Sequence, residues 1–195
     1  MSMNEKAKIV AGLNAMLGKN NGISEDAEVH GRYSAVCRDK DGNIKWSDEF
    51  DNLVTNLGKA LLLDTFLSGS AYTVTGPFLG LINGSAANVA AADTLASRTG
   101  GWAEVGATNA PAYTAPRKTV AWNAASGGSK SNSTALTFSF TSGGTVGGAF
   151  LVLGSGAVST IDSTAGILYS ARAFTGGSKT VAASDTLTVT YTAQA

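Results

Sequence analysis

Three carboxylates crowd the stretch WSDEFDN: Asp48, Glu49 and Asp51. Paired carboxylates carry glycoside hydrolysis when one stays protonated and the other ionised at a fixed separation, so Asp48 and Glu49 mark where a hydrolase would place its chemistry. Adjacent residues of a strand point to opposite faces, however, and the cluster is expected to be a solvated edge or a turn. It also lacks the spaced Asp/Asn and closing Glu of an EF-hand calcium loop. The single histidine, His30, belongs to no Gly-x-Ser-x-Gly elbow and has no partner acid at a recognised offset, which argues against Ser-His-Asp catalysis. His30 and the single cysteine, Cys37, do not make the four-ligand set of a structural zinc. The glycine-rich stretches GGSKSNS and GGSKT place Lys after Ser and open no helical run, so neither is a phosphate-binding P-loop. The expectation is a noncatalytic protein with no cofactor and no metal.

Aromatic side chains offer a different chemistry, since exposed Trp and Tyr build sugar platforms and protein hot spots. Trp46, Trp102 and Trp122 each border an expected strand, and Trp122 alternates with Val120 in RKTVAW. That spacing assigns them to core filling.

Composition narrows the classes further. The 195 residues carry no formal net charge, and Lys and Arg form no basic stripe. Affinity for nucleic acid or anionic membrane comes from clustered cations, so neither partner is expected. One cysteine makes no intrachain disulfide, leaving packing or assembly to supply stability. The N-terminal stretch MSMNEKAKIVAGLNAMLG interrupts its apolar part with Asn14 and has no small-residue cleavage site, which argues against a signal peptide. No apolar run reaches the length of about 18 residues that a membrane span requires. Eight of the fourteen Lys and Arg and ten of the fourteen Asp and Glu fall within the first 64 residues. The remainder relies on Ser, Thr, Asn and Gly for its surface, as suits a shell packed against neighbours or, equally, the exterior of an ordinary sandwich.

The elements follow from periodicity. Residues 1–27 form a partly helical N-terminal arm in which Ile9, Leu13, Met16 and Leu17 fall on one helical face; the arm is expected to fold back on its own domain, to dock on another subunit or a partner, with these as the candidate partner-contact residues, or to stay disordered. Residues 28–195 form a single β-sandwich domain. It begins with a hairpin (Val29, Tyr33 and Val36, the turn DKDGN, then IKW). A helix at about 56–67 follows, capped by Thr55 or Asn56, ended by Ser68 and Gly69, and apolar along Leu53, Leu57, Ala60, Leu61 and Phe66 or Leu67. It is expected to plug the open edge or end of the sandwich, with use as a docking surface as the competing role. GPFLGLI, GWAEV, RKTVAW, ALTFSF, VGGAFLVL, GILYSAR and DTLTVTYT are the remaining strands, giving about eight or nine in all. Leu136, Phe138 and Phe140 share a face, as do Leu187, Val189 and Tyr191. The glycine-rich turns recur without a fixed motif between them, which argues against a propeller or solenoid.

The order of these pieces, from WSDEFDNLVTN and GKALLLDTFLSGS through FLGLI, AADTLASRTGGWAEV, YTAPRKTVAW, SNSTALTFSF, GGAFLVL and GILYSARAF to SDTLTVTYT, resembles the capsid cement (head decoration) proteins of tailed bacteriophages, those of Bordetella-phage-like podoviruses in particular. The resemblance spans roughly residues 30–193 and leaves the arm outside. It implies a jelly-roll-like antiparallel β domain, a homodimer on the outer surface of the virion capsid, made in the bacterial host cytoplasm and bridging subunits of the major capsid protein. It brings no active site with it. The alternative from another class is a receptor-binding or tail-fibre β module, trimeric and recognising a host surface glycan.

Overall fold

The computed structural model describes residues 29–67, 75–84, 88–106 and 108–195. The arm, with Ile9, Leu13, Met16 and Leu17, therefore lies outside the described residues.

Two antiparallel sheets face each other and form a β-sandwich. The first contains β1 (His30–Arg38), β2 (Ile44–Asp51), β6 (Ser129–Ser131), β7 (Leu136–Ser139) and β11 (Thr186–Gln194). Its order is β2-β1-β11, with β6 and β7 sharing the far edge of β11. The second contains β3 (Leu53–Val54), β4 (Phe78–Asn83), β5 (Lys118–Thr119), β8 (Gly144–Leu153), β9 (Ile167–Ala173) and β10 (Lys179–Val181). Its order is β3-β9-β8-β4-β5, with β10 extending the β9 side of β8. The helix α1 (Asn56–Leu67) follows β3 after Thr55 alone.

Alternation in the sequence becomes burial in the sandwich. Tyr33, Ala35 and Cys37 of β1, Leu136 and Phe138 of β7, and Leu187, Val189 and Tyr191 of β11 point into one core with Leu79, Leu81, Ala149, Leu151 and Tyr169 of the second sheet. Phe140, just past β7, is buried there too. Val36 takes the opposite face of β1 from Tyr33, as strand parity requires. A hydrogen bond of 2.9 Å between the Tyr33 and Ser170 hydroxyls joins the sheets through this core. The β1–β2 turn is held by Asp39, whose Oδ1 accepts from the backbone N–H of Asp41 and of Asn43. Gly42 takes φ +87° in that turn, a conformation that favours glycine.

The second sheet is buried on both faces. Ile82, Phe150, Val152, Leu168 and Ala171 form a second core with Leu95, Trp102 and Ala157, which come from the long connections at 88–117 and 154–166. GWAEV is not a strand: Glu104 makes only an isolated bridge to Ile82. RKTVAW shrinks to the two residues of β5. These segments serve as covering layers, and side-chain hydrogen bonds do the work that a ladder would do in a strand.

Edges are blunted. The second sheet ends in two-residue strands on both sides, β3 and β5. The exposed positions of β2 are Ile44, Lys45, Ser47, Glu49 and Asp51. Short or charged edges discourage pairing with another chain.

Candidate interaction surface

The carboxylate cluster separates as strand geometry predicts. Asp48 faces inward, 3.3 Å from the Lys179 ammonium, while Glu49 faces outward, 2.8 Å from the Arg32 guanidinium. Asp51 is exposed at the strand end. No shared site forms between Asp48 and Glu49 for an acid/base pair to act on. Cys37 is fully buried, and burial pushes its thiol up to about 11, so at neutral pH it stays protonated and inert. His30 is exposed at the start of β1. Among the described residues, no three His, Cys, Asp or Glu side chains gather as metal ligands.

The buried polar chemistry lies elsewhere, on the outer side of the second sheet. Glu104 and Arg117 form a bidentate pair, Nε to Oε1 at 2.8 Å and Nη2 to Oε2 at 2.7 Å, with both side chains fully buried. Arg117 also donates to the carbonyls of Val158 and Ser163, and the Asp162 N–H donates to Glu104. Gly80 makes room for this arrangement: a Cβ there would lie 2.4 Å from the Phe150 ring and 3.0 Å from Glu104 Oε1. Asp93 organises the neighbouring loop by accepting from the Trp102 indole at 2.9 Å and from the N–H groups of Thr99 and Ala90. Burial pushes its carboxyl up, but those donors outweigh burial and hold it below its ordinary value. Arg98 lies over the Trp102 ring at 4.6 Å. Glu104, Arg117 and Asp93 are spent on side-chain partners and on backbone, which makes the network structural; the buried Arg98 Nε finds no hydrogen-bond partner among the described residues.

The helix end is different. Thr55 is the N-cap: its Oγ1 accepts from the Gly58 N–H at 3.0 Å and donates to the Leu168 carbonyl, pinning the first turn to β9. Gly58 sits so close to β9 that a Cβ there would lie 2.3 Å from the Tyr169 carbonyl oxygen. The face that α1 turns toward the sandwich is Gly58, Leu61, Leu62 and Thr65, with Gly58 and Leu61 fully buried. This corrects the face expected from the sequence. Leu57 is 44% exposed and Ala60 is exposed, while Leu53 belongs to β3 and not to the helix. Apolar residues lie all round α1, so periodicity could not choose a side; the contact at Gly58 chooses it.

The remaining apolar side chains stay in water. Leu63 is 60% exposed, Phe66 84% and Leu67 79%. At helical spacing Leu63 and Leu67 lie opposite the buried face, with Leu57 and Phe66 on its flanks.

Beneath α1 the sandwich is open. A cleft of about 540 Å³ is bounded by Leu61, Leu62, Thr65 and Phe66 of the helix, and by Trp122, Leu151, Leu153, Tyr169, Tyr191 and Ala193 from the sheets and the segment before β6. Val29 also lines it. The helix is thus a partial plug that roofs the end of the sandwich without filling it. Trp122 is half-buried and packs against the first core, 6.0 Å from the Tyr191 ring, and it also borders this cleft. Trp46 is half-buried, with its indole N–H donating to the Thr180 carbonyl, and Trp102 is fully buried.

A second cleft, of about 600 Å³, lies beside Asp51, Asn88, Arg172 and Thr175. Its two rings, Phe50 and Phe174, are buried and present no face to a sugar. No protein-family model matches this chain, and no curated protein matches it significantly.

Proposed function

We propose that this protein is a structural, noncatalytic virion component that binds the outside of a phage capsid and stabilises it by bridging major capsid protein subunits. The observation that carries the reading is the exposed apolar set Leu57, Leu63, Phe66 and Leu67, mounted on a helix anchored to a sandwich with a charge-poor surface. Covering each such side chain is worth about 1.5–3 kcal/mol at most. A shell lattice repeats that modest gain at every equivalent position, and the shell cannot open without losing it. The partner class rests on the resemblance of segment order to podovirus cement proteins, which implies with it a homodimer, a place on the outer surface of the virion and synthesis in the host cytoplasm.

The test is to mix purified protein with undecorated heads and image them. Ordered density on the outer shell, lost for Leu63→Asp in a protein that remains folded, is the expected result. Bare shells at saturating protein would refute the reading. A stable trimer that binds host glycan and leaves shells bare would replace it with the tail-fibre reading.

A further inference from the structure

We propose that the cleft beneath α1 is the seat of the chain's own N-terminal segment, with Ile9, Leu13, Met16 and Leu17 as the side chains that fill it. The proposal concerns the cleft side of α1, where Leu61, Leu62 and Thr65 face inward; Phe66 borders both this cleft and the outer apolar set, whereas Leu63 and Leu67 belong to the outer set alone.

Four observations lead to this occupant. The cleft is walled mainly by apolar side chains, and its volume of about 540 Å³ has room for several aliphatic side chains at interior packing density. An apolar space of that size has few polar partners to offer water. The described chain begins at Val29, and Val29 is itself part of the lining, so the 28 residues before it leave from the cleft. Those residues contain one apolar stripe, Ile9, Leu13, Met16 and Leu17, which at helical spacing forms a single face about 12 Å long. Finally, the polar stretch between Leu17 and Val29 spans up to about 40 Å when extended, more than a return to the cleft requires.

Tethering selects this chain's arm over a free ligand. A short flexible linker holds its segment at an effective concentration of about millimolar, so docking with an intrinsic dissociation constant well below that stays saturated at any dilution. An arm docked in this way also shields Trp122 and Tyr191, which line the same space.

The experiment uses the full chain and the apolar dye 1-anilinonaphthalene-8-sulfonate. The parent protein should bind little dye, whereas Leu13→Asp/Leu17→Asp, still folded by circular dichroism, should bind at least about tenfold more. A synthetic peptide of residues 1–28 should then displace the dye from that variant. Ala193→Trp fills the cleft from its wall instead, and should make trypsin cleavage after Lys8 and Lys19 at least about tenfold faster than in the parent. Equal dye binding by parent and double variant would overturn the proposal, as would unchanged cleavage in Ala193→Trp. Dye exclusion that disappears on dilution, together with a dimer that depends on Leu13 and Leu17, would also overturn it, because the cleft would then hold the arm of a second copy.

Discussion

Two apolar surfaces of the same sheet are finished in opposite ways. The outer face of the second sheet is covered by irregular chain, whereas the end nearest β3 and β9 is roofed by α1. Irregular chain brings backbone N–H and C=O groups that have no ladder partner and need one when buried. Glu104, Arg117 and Asp93 meet that need by holding Asp162, Val158, Ser163, Thr99 and Ala90. A helix satisfies its own backbone between its first and last turns. It needs little more than the Thr55 cap, so it can rest on the sandwich through Gly58 and Leu61 and leave a gap beside them. Covering by loop thus requires buried charge and closes tightly, while covering by helix requires none and leaves apolar surface open for a partner.

The largest effect should come from breaking the loop cover. Arg117→Ala strands Glu104 as a buried, unpaired charge and should cost about 3–5 kcal/mol in denaturant unfolding. Arg117→Met with Glu104→Gln should cost clearly less; an equal loss would mean that packing, not pairing, holds this layer. At the helix, Gly58→Ala forces the first turn away from Tyr169 and should destabilise by about 1–3 kcal/mol. Its dye binding should rise as the roof lifts.

A pH titration sharpens the contrast between the two covers. The Asp93 carboxyl lies below its ordinary value in the folded protein, so its contribution to stability is complete above the unfolded value near about 3.9 and is lost as pH falls through the folded value. Trp102 fluorescence, reporting on the indole bonded to Asp93, should change below about pH 4. Asp93→Asn should flatten that response and leave the helix end unaffected.

Smaller effects distinguish surplus polarity from useful polarity. The Tyr113 hydroxyl is buried and finds no hydrogen-bond partner among the described residues, and burial pushes its pKa up. Tyr113→Phe should therefore be neutral or stabilising by up to about 1 kcal/mol in the same unfolding assay. Leu63→Asp should change stability by no more than about 0.5 kcal/mol, because Leu63 is 60% exposed, and yet abolish shell binding. The buried neighbour Leu61 gives the opposite outcome: Leu61→Asp should unfold or aggregate.

Much of the frame was legible in advance. The start of α1 matches expectation because Thr55 is a good cap and a strongly apolar run follows it, while the expected stop at Ser68 and Gly69 lies outside the described residues. β7 and β11 were readable because alternation at Leu136/Phe138 and Leu187/Val189/Tyr191 has no competing period. β3, β6 and β10 were not, since runs of two or three residues carry no period and exist only through pairing with β9, β11 and β8. The loop network was invisible for a related reason. Glu104 and Arg117 stand thirteen residues apart with no motif between them, and a lone Glu or Arg in a sequence looks like surface.

The sequence by itself determined which residues alternate, where the helix starts and how little charge the second half carries, because these depend on neighbours along the chain. Tertiary structure decided which side of α1 is buried, that Asp48 and Glu49 part company, and that a cleft opens next to Val29. Those outcomes depend on close approach between segments far apart in sequence. At Gly58 and Tyr169 that approach leaves no room for even one added carbon.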